Sequence, residues 1–339
     1  MTPQRISIIG AGAWGTALAI VLRRAKREVL IWARTPDVAK TIRARHENPL
    51  YLPGQRLDRA IQATADLYEA AQCEAALLCT PAQHLRAVAT DLARHLPKAT
   101  PVVICAKGIE QASGLLMTEV IAATLPGRPM AVLSGPTFAA EVARGLPTAV
   151  TLACADAKVG GHLVKAVGTA TFRPYLSDDP IGAEIGGAVK NVLAIACGIC
   201  MGRRLGENAR AALMTRGLAE MIRLGLARGA KPATLMGLSG LGDLSLTCNG
   251  LQSRNMSLGV ALGQGQTLAD ILGARKSVTE GVYSASAVVG LARKHGVEMP
   301  ICEAVHNVVK GQMSVDEAIE ALLSRPLRAE TDFPSAVAR

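Results

Sequence analysis

Short apolar runs recur through the first half of the chain at the spacing of buried strands: Ile6–Ile9, Val29–Trp32, Ala75–Cys79, Val102–Ala106, Met130–Leu133 and Thr148–Ala153. Between them lie Ala-rich or amphipathic segments such as Leu67–Ala71, Leu85–Leu96, Leu115–Ala123 and Phe138–Ala143. Near-continuous apolar strands alternating with helices predict a mostly parallel sheet covered on both faces, an α/β Rossmann-type doubly wound domain. After Asp178-Asp179-Pro180 the strand pattern stops. Apolar residues then recur at helical spacing over 181–202, 208–228, 255–262, 282–295, 301–311 and 315–324. The reading is therefore an N-terminal dinucleotide-binding Rossmann domain at 1–180 and an all-α substrate domain at 181–339, ending in a loose tail over 325–339.

One helical run breaks its own pattern. Residues 185–202 read IGGAVKNVLAIACGICMG, nearly long enough to cross a membrane, yet Lys190 and Asn191 sit inside it. We read it as a buried helix at the domain junction, with glycines that let the sheet domain approach. Its apolar setting destabilises the charged form of Lys190 and pulls its pKa toward a useful value.

Composition narrows the partners. The formal net charge of the 339 residues is +10, which favours anionic ligands. The basic residues are dispersed and aromatics make up only 3%, so a nucleic-acid partner is not expected, whereas small phosphorylated molecules fit. The eight cysteines show no disulfide framework, and Cys197-Gly-Ile-Cys200 lacks the second pair a metal site would want. The apolar N-terminus is punctuated by glycines and followed by basic residues where a cleavage site would be. We expect a cytoplasmic protein without a metal or a stable membrane insertion.

The chemistry starts at Gly10-Ala-Gly12-Ala-Trp-Gly15, directly after the first strand and opening a helix. In that context Gly10 permits the turn, Gly12 lets the backbone approach a pyrophosphate, and Gly15 lets helix and strand pack closely. At the end of the second strand Arg34 stands where an NAD site usually carries an acid. A guanidinium suits a 2′-phosphate, which favours NADPH over NADH; the other reading of Arg34 is a solvated surface arginine. Two more strands run into Lys107 and into Ser134-Gly135-Pro136-Thr137, at the edge where open α/β sheets bind ligands. In the helical half, Gln252-Ser253-Arg254-Asn255 opens a helix: a phosphate cradle, or an ordinary N-cap with a surface arginine. None of the six histidines lies in or next to these segments. By elimination, Lys190 becomes the candidate acid/base and Asp243 its orienting partner; the alternative is a lysine that snorkels to solvent.

The motifs GAGAWGTALA (10–19), AKGIE (106–110), LSGPTFAAEVARGLPTAV (133–150), IGGAVKNVLAI (185–195), NARAALMTRGLAEM (208–221), GLGDLSLTC (240–248), QSRN (252–255) and VTEGVYSA (278–285) resemble, in order, the soluble NAD(P)-dependent glycerol-3-phosphate dehydrogenases of bacteria. The resemblance runs from about residue 6 to 311 and implies a role for each matching position. Ala13 and Trp14 would contact the dinucleotide, with Arg34 at its adenosine end. Lys107 would touch cofactor and substrate. Gly135 and Thr137 would sit beside substrate, and Ala139 near the cofactor. Lys190 would be the general base. Asp243, Ser253, Arg254 and Asn255 would line the substrate, Arg254 reaching the cofactor as well, and Val278 and Glu280 would close the cofactor site. The implied activity is reduction of dihydroxyacetone phosphate to sn-glycerol 3-phosphate with NADPH or NADH, feeding phospholipid synthesis, in a homodimer. Three departures stand out: Ala82 where a serine is expected, Leu85 where an aromatic is common, and an unusually basic segment at 200–206. A related keto acid as substrate, and a non-catalytic NADPH sensor, are the competing functions.

Overall fold

A computed structural model describes residues 2–274 and 280–327. The chain divides into two compact units. One comprises residues 1–107 and 115–183; the other comprises 108–114 and 184 onward, so the division falls inside one long helix.

The first unit contains ten strands: β1 (Arg5–Ile9), β2 (Glu28–Trp32), β3 (Glu47–Asn48), β4 (Leu52–Arg56), β5 (Gln62–Thr64), β6 (Ala75–Leu78), β7 (Val102–Ile104), β8 (Met130–Ser134), β9 (Thr148–Ala153) and β10 (Phe172–Ser177). Eight form one sheet, ordered β10-β9-β8-β7-β6-β1-β2-β5, while β3 and β4 pair as a separate small ribbon. Crossover helices explain the parallel pairs, since a parallel neighbour cannot be reached by a tight turn. The strand order reverses beside β1, where β2 lies on one side and β6 on the other. The predicted Rossmann-like sheet is present, with one exception to its direction: β8 and β9 run antiparallel.

Apolar clusters fill both faces of this sheet. Ile6, Ile8, Leu77, Val103 and Leu133 point to one; Ile9, Leu78, Val102, Ile104 and Val132 point to the other. That alternation is the pleat expressed on a sheet buried on both sides, and it is why the strands read as unbroken apolar runs.

The second unit is helical. Its elements include α3 (Pro180–Gly202, whose first turns belong to the sheet unit), α4 (Glu207–Ala227), α5 (Asp243–Asn249), α6 (Arg254–Gly263), α7 (Glu280–Lys294), α8 (Pro300–Val309) and α9 (Val315–Leu323); α1 (Ala13–Arg24) and α2 (Ala139–Arg144) belong to the sheet unit. Helix α3 is long and apolar enough to span a membrane, but 89% of its most apolar window is buried within the protein. Three glycines of α3 meet backbone of the helical unit. A Cβ at Gly198 would lie 2.2 Å from Met256 O, and one at Gly202 would lie 2.4 Å from Val260 O. Reciprocally, a Cβ at Gly259 would lie 2.1 Å from Ile195 O and one at Gly263 2.6 Å from Ile199 O. Two glycine pairs spaced by four therefore bring α3 and α6 into backbone contact. Gly186 faces Ser239 O, again within the helical unit. Gly186, Gly198 and Gly202 admit backbone of the helical unit.

Candidate functional site

In the sheet unit the chemistry gathers at the glycine turn. Gly10 has φ +126°, a conformation that disfavours a side chain, and a Cβ there would sit 2.9 Å from the Cys79 carbonyl carbon. A Cβ at Gly15 would lie 2.0 Å from Gly10 O, so α1 can press onto β1 only through glycine. At Gly12 a Cβ would meet nothing within 4 Å. Gly12 also caps α1 with no side-chain hydrogen bond to the first-turn N–H groups. Open space over an uncapped helix start suits the pyrophosphate of a dinucleotide, because those N–H groups and the positive helix end both favour an anion. The residues present therefore fit an NAD(P) group.

Asn48 holds the turn from outside. Its Nδ2 donates to Ala11 O and to Thr16 Oγ1, both at 2.8 Å. No pattern along the chain pointed to this: Asn48 lies on the short ribbon strand β3, which carries no apolar alternation. Ala13 and Trp14 form the first turn of α1, and the Trp14 ring is partly buried, its centroid 6.5 Å from that of Phe172. Arg34 is exposed just past β2. Beyond β7, Lys107 Nζ donates to Gly135 O at 2.9 Å, and Thr137 Oγ1 donates to the same carbonyl at 3.2 Å. Lys107, Gly135, Thr137 and Ala139 (the first residue of α2) thus occupy one neighbourhood.

In the helical unit the centre is Lys190. Its side chain is 9% exposed, and Nζ donates to Asp243 Oδ1 at 2.7 Å. A second bond of 2.9 Å goes to Thr247 Oγ1, which in turn donates to Asp243 Oδ1 at 3.3 Å. A buried ammonium is strongly disfavoured without a counter-charge, and Asp243 supplies one. Asp243 is fully buried at the start of α5, directly after a π-type turn over Leu238–Gly242 closed by Gly242 N to Gly237 O at 3.0 Å. Such wide turns re-aim the residues that follow them. Asp243 and Thr247 are four apart on α5, so both present to the same partner. Thr247 had no assigned role from sequence; its place one helical turn beyond Asp243 was the available signal.

Next to Lys190, Asn191 Oδ1 accepts from Asn255 Nδ2 at 2.9 Å, and Asn255 Oδ1 accepts from Gly281 N at 3.0 Å. The amide of Asn255 therefore ties α3, α6 and the start of α7 together. Ser253 caps α6, accepting from Met256 N at 3.2 Å, while Arg254 is exposed at the first position of that helix. Glu280 opens α7. Val278 lies outside the described residues.

Cys248, next to Thr247 on α5, lies close enough to feel the charges of Lys190 and Asp243. All eight cysteines are free, and among the described residues no cluster suits a metal. The Cys248 thiol lies against Cys197, and that contact together with burial holds it well above the usual thiol range. Cys197 thus meets Cys248, which the Cys197/Cys200 spacing did not suggest. None of the six histidines is fully buried.

Comparison with known proteins agrees with both halves. The family model of the NAD-dependent glycerol-3-phosphate dehydrogenase N-terminus matches residues 5–160, and that of its C-terminus matches 179–320. Glycerol-3-phosphate dehydrogenase [NAD(P)+] of Parvibaculum lavamentivorans is 62% identical over 97% of this chain and 98% of its own. The protein of the same name from Rhodospirillum rubrum is 63% identical over 96% and 94%. The crystal structure of glycerol-3-phosphate dehydrogenase from Coxiella burnetii superposes with a TM-score of 0.92, at 40% identity over 96% of this chain and all of that one. With a Rossmann-like sheet unit, a helical unit and both family models matched in order, the chain belongs to the NAD-dependent glycerol-3-phosphate dehydrogenase family.

Proposed function

We propose that this chain reduces dihydroxyacetone phosphate to sn-glycerol 3-phosphate, reversibly, with NADPH preferred over NADH, as a cytoplasmic homodimer that supplies glycerophospholipid synthesis. The observation that carries the reading is the buried Lys190–Asp243–Thr247 cluster, in a chain that also holds an open, uncapped glycine turn. We assign dinucleotide binding to residues 1–180 and substrate binding with proton transfer to 181–339.

Gly10, Gly12, Ala13, Trp14 and Gly15 hold the cofactor at the turn, with Arg34 at its adenosine end and Lys107, Ala139, Arg254, Val278 and Glu280 at further contacts. When bound, the nicotinamide supplies the hydride that the carbonyl carbon accepts. The chain's own residues handle the rest. Lys190 Nζ donates a hydrogen bond to the carbonyl oxygen, which draws electron density away from carbon. As the alkoxide forms, Lys190 gives it a proton, leaving a neutral amine that water reprotonates. In the reverse direction the amine takes the hydroxyl proton. Asp243 and Thr247 fix the Nζ position. Ser253, Arg254 and Asn255 grip the phosphate at the start of α6, where donor groups and the helix end act together. Lys107, Gly135 and Thr137 complete the substrate contacts.

The test is a spectrophotometric oxidation assay run in parallel with NADPH and NADH, on dihydroxyacetone phosphate and on small keto acids. Turnover only with keto acids overturns the substrate assignment, and absence of any turnover leaves a cofactor-binding protein. Equal or higher kcat/KM with NADH overturns the cofactor preference.

A further inference from the structure

The carbonyls of the glycine turn are held by donors from three parts of the sheet unit. Ile9 O accepts from Cys79 N at 2.9 Å and from Thr80 Oγ1 at 3.1 Å, just past β6. Gly12 O accepts from Thr16 N at 2.9 Å, within α1. Ala11 O is served from farther off: its donor is the Asn48 amide, 37 residues away on β3. Asn48 is 1% exposed, although β3 is two residues long and pairs outside the main sheet. A buried amide is costly unless it is hydrogen-bonded, and an apolar side chain of similar size fills such a space without that cost. An amide at this place points to a task beyond packing.

We propose that Asn48 is a positioning residue for the cofactor: it sets the Ala11–Gly12 peptide so that N–H, and not C=O, is presented to the diphosphate. The inference rests on the reading of the glycine turn as the diphosphate site. A trans peptide is planar, and its C=O and N–H point in opposite directions. With the Ala11 carbonyl held on Asn48 Nδ2, the Gly12 N–H faces away from the ribbon. Gly12 is also the position at which a Cβ would meet nothing within 4 Å, so the turn is open there to a ligand.

Glycine at position 12 is what makes the anchor necessary. Turning a peptide plane over changes the φ of the residue that follows it. Gly12 has φ −71° and, being glycine, reaches positive φ at little cost. A larger residue would resist that flip, but it would also fill the space the diphosphate needs. A flipped peptide would set the negative end of a carbonyl dipole against the phosphates and withdraw a donor from the helix start. The bond from Asn48 opposes the flip.

Asparagine suits this task by its chemistry. Its nitrogen carries two N–H donors, which match the two acceptors it meets, Ala11 O and Thr16 Oγ1. Ala11 O can only accept, so the nitrogen of the amide must be on that side. Thr16 is fully buried in α1, so the same amide is tied to the helix whose first turn would meet the cofactor. An aspartate would bring only acceptors to Ala11 O, and a negative charge toward an anionic ligand.

The experiment measures Kd for NADPH and NADH on the full chain by fluorescence titration, and kcat with both KM values in the oxidation assay. Wild type is compared with Asn48→Ala, Asn48→Leu and Gly12→Val. Asn48→Leu keeps the volume and denies the site to a replacing water. If one Asn48 variant fails to fold by circular dichroism, the other carries the measurement. Binding of 2′-AMP, an adenosine-end fragment without a diphosphate, is measured as competition. The expected result is that both Asn48 variants bind NADPH and NADH about 10-fold more weakly, the scale of one lost hydrogen bond that leaves an orphaned carbonyl. Cofactor KM rises with Kd, while kcat at saturating cofactor, KM for dihydroxyacetone phosphate and the affinity for 2′-AMP stay as in the wild type. Equal weakening of NADPH and 2′-AMP means general loosening of the sheet unit and overturns the positioning role, as does loss of folding in both Asn48 variants. Gly12→Val is compatible with the extended backbone at that residue and adds a side chain to the open space. If it weakens both dinucleotides and a folded Asn48 variant does not, the role of Asn48 is overturned and the turn remains the diphosphate site. If Gly12→Val binds both as the wild type does, the turn reading falls and the proposal with it.

Discussion

Glu220 offers a sharp test of how burial and hydrogen bonding compete in this fold. Its carboxylate is 1% exposed on α4 and accepts from Ile301 N at 2.7 Å and from Cys302 N at 3.1 Å, at the start of α8. Those two donors and the positive end of α8 favour the anion. Burial opposes them and prevails, raising the group from 4.5 to about 7. A difference of about 2.5 units corresponds to roughly 3 kcal/mol. The folded pKa is the higher one, so the penalty is absent below pH 4.5, accumulates as pH rises through 4.5–7, and is complete above 7. Glu220→Gln removes the titration. It also replaces one acceptor by a donor facing a backbone N–H, which costs about 1–3 kcal/mol at every pH. The difference between two pH values cancels that constant cost. Unfolding free energies of wild type and variant, measured by denaturant titration at pH 5 and pH 8.5, should therefore diverge by about 2.5 kcal/mol in the variant's favour on going to the higher pH, since part of the penalty is already present at pH 5. A stability difference that is the same at both values would show that the two N–H donors hold the carboxylate ionised throughout, and the reasoning would fail.

Other perturbations address the reaction. Lys190→Ala is expected to lower kcat by at least ~100-fold in the NADPH oxidation assay, the usual scale for a general acid/base, and near-normal turnover would remove that role. Thr247→Val takes one of two acceptors from Nζ while keeping volume; we expect kcat to fall about 10-fold with KM little changed, and Thr247→Ser to recover most of it. Arg34→Ala should lower kcat/KM for NADPH by about 10- to 100-fold, through loss of a charge-assisted phosphate contact, and leave NADH within a few-fold. Gly198→Ala drives a methyl into Met256 O, and thermal unfolding should show a loss of at least ~1–3 kcal/mol.

The sheet was legible because its strands are buried on both faces and so read as unbroken apolar runs. The same fact hid the reversed direction of β9, since an apolar run buried on both faces reads alike in either orientation. Strands β3, β4 and β10 carry Asn48, Pro53-Gly54 and Pro174, and β10 pairs only on one side, so no clean alternation marked them. In the helical unit, Lys190 announced itself by being out of place in an apolar run. Its pairing with Asp243 was readable as chemistry, while Thr247 and the π-type turn needed the fold, because 57 residues separate Thr247 from Lys190. The glycines of α3 were visible, but what they admit depends on which backbone arrives, and that is a tertiary fact.

The glycine crossing of α3 and α6 has a consequence for selectivity. Lys190 rides on one helix and the Ser253–Asn255 grip on the other, and the two are joined backbone to backbone with no side chain between them. Rotamer changes cannot move the two helix backbones apart or together at the crossing. Under the roles assigned above, the crossing acts as a ruler: it measures how many atoms separate a substrate's phosphate from its reactive oxygen, and it rejects longer or shorter phosphates by length before any chemistry begins.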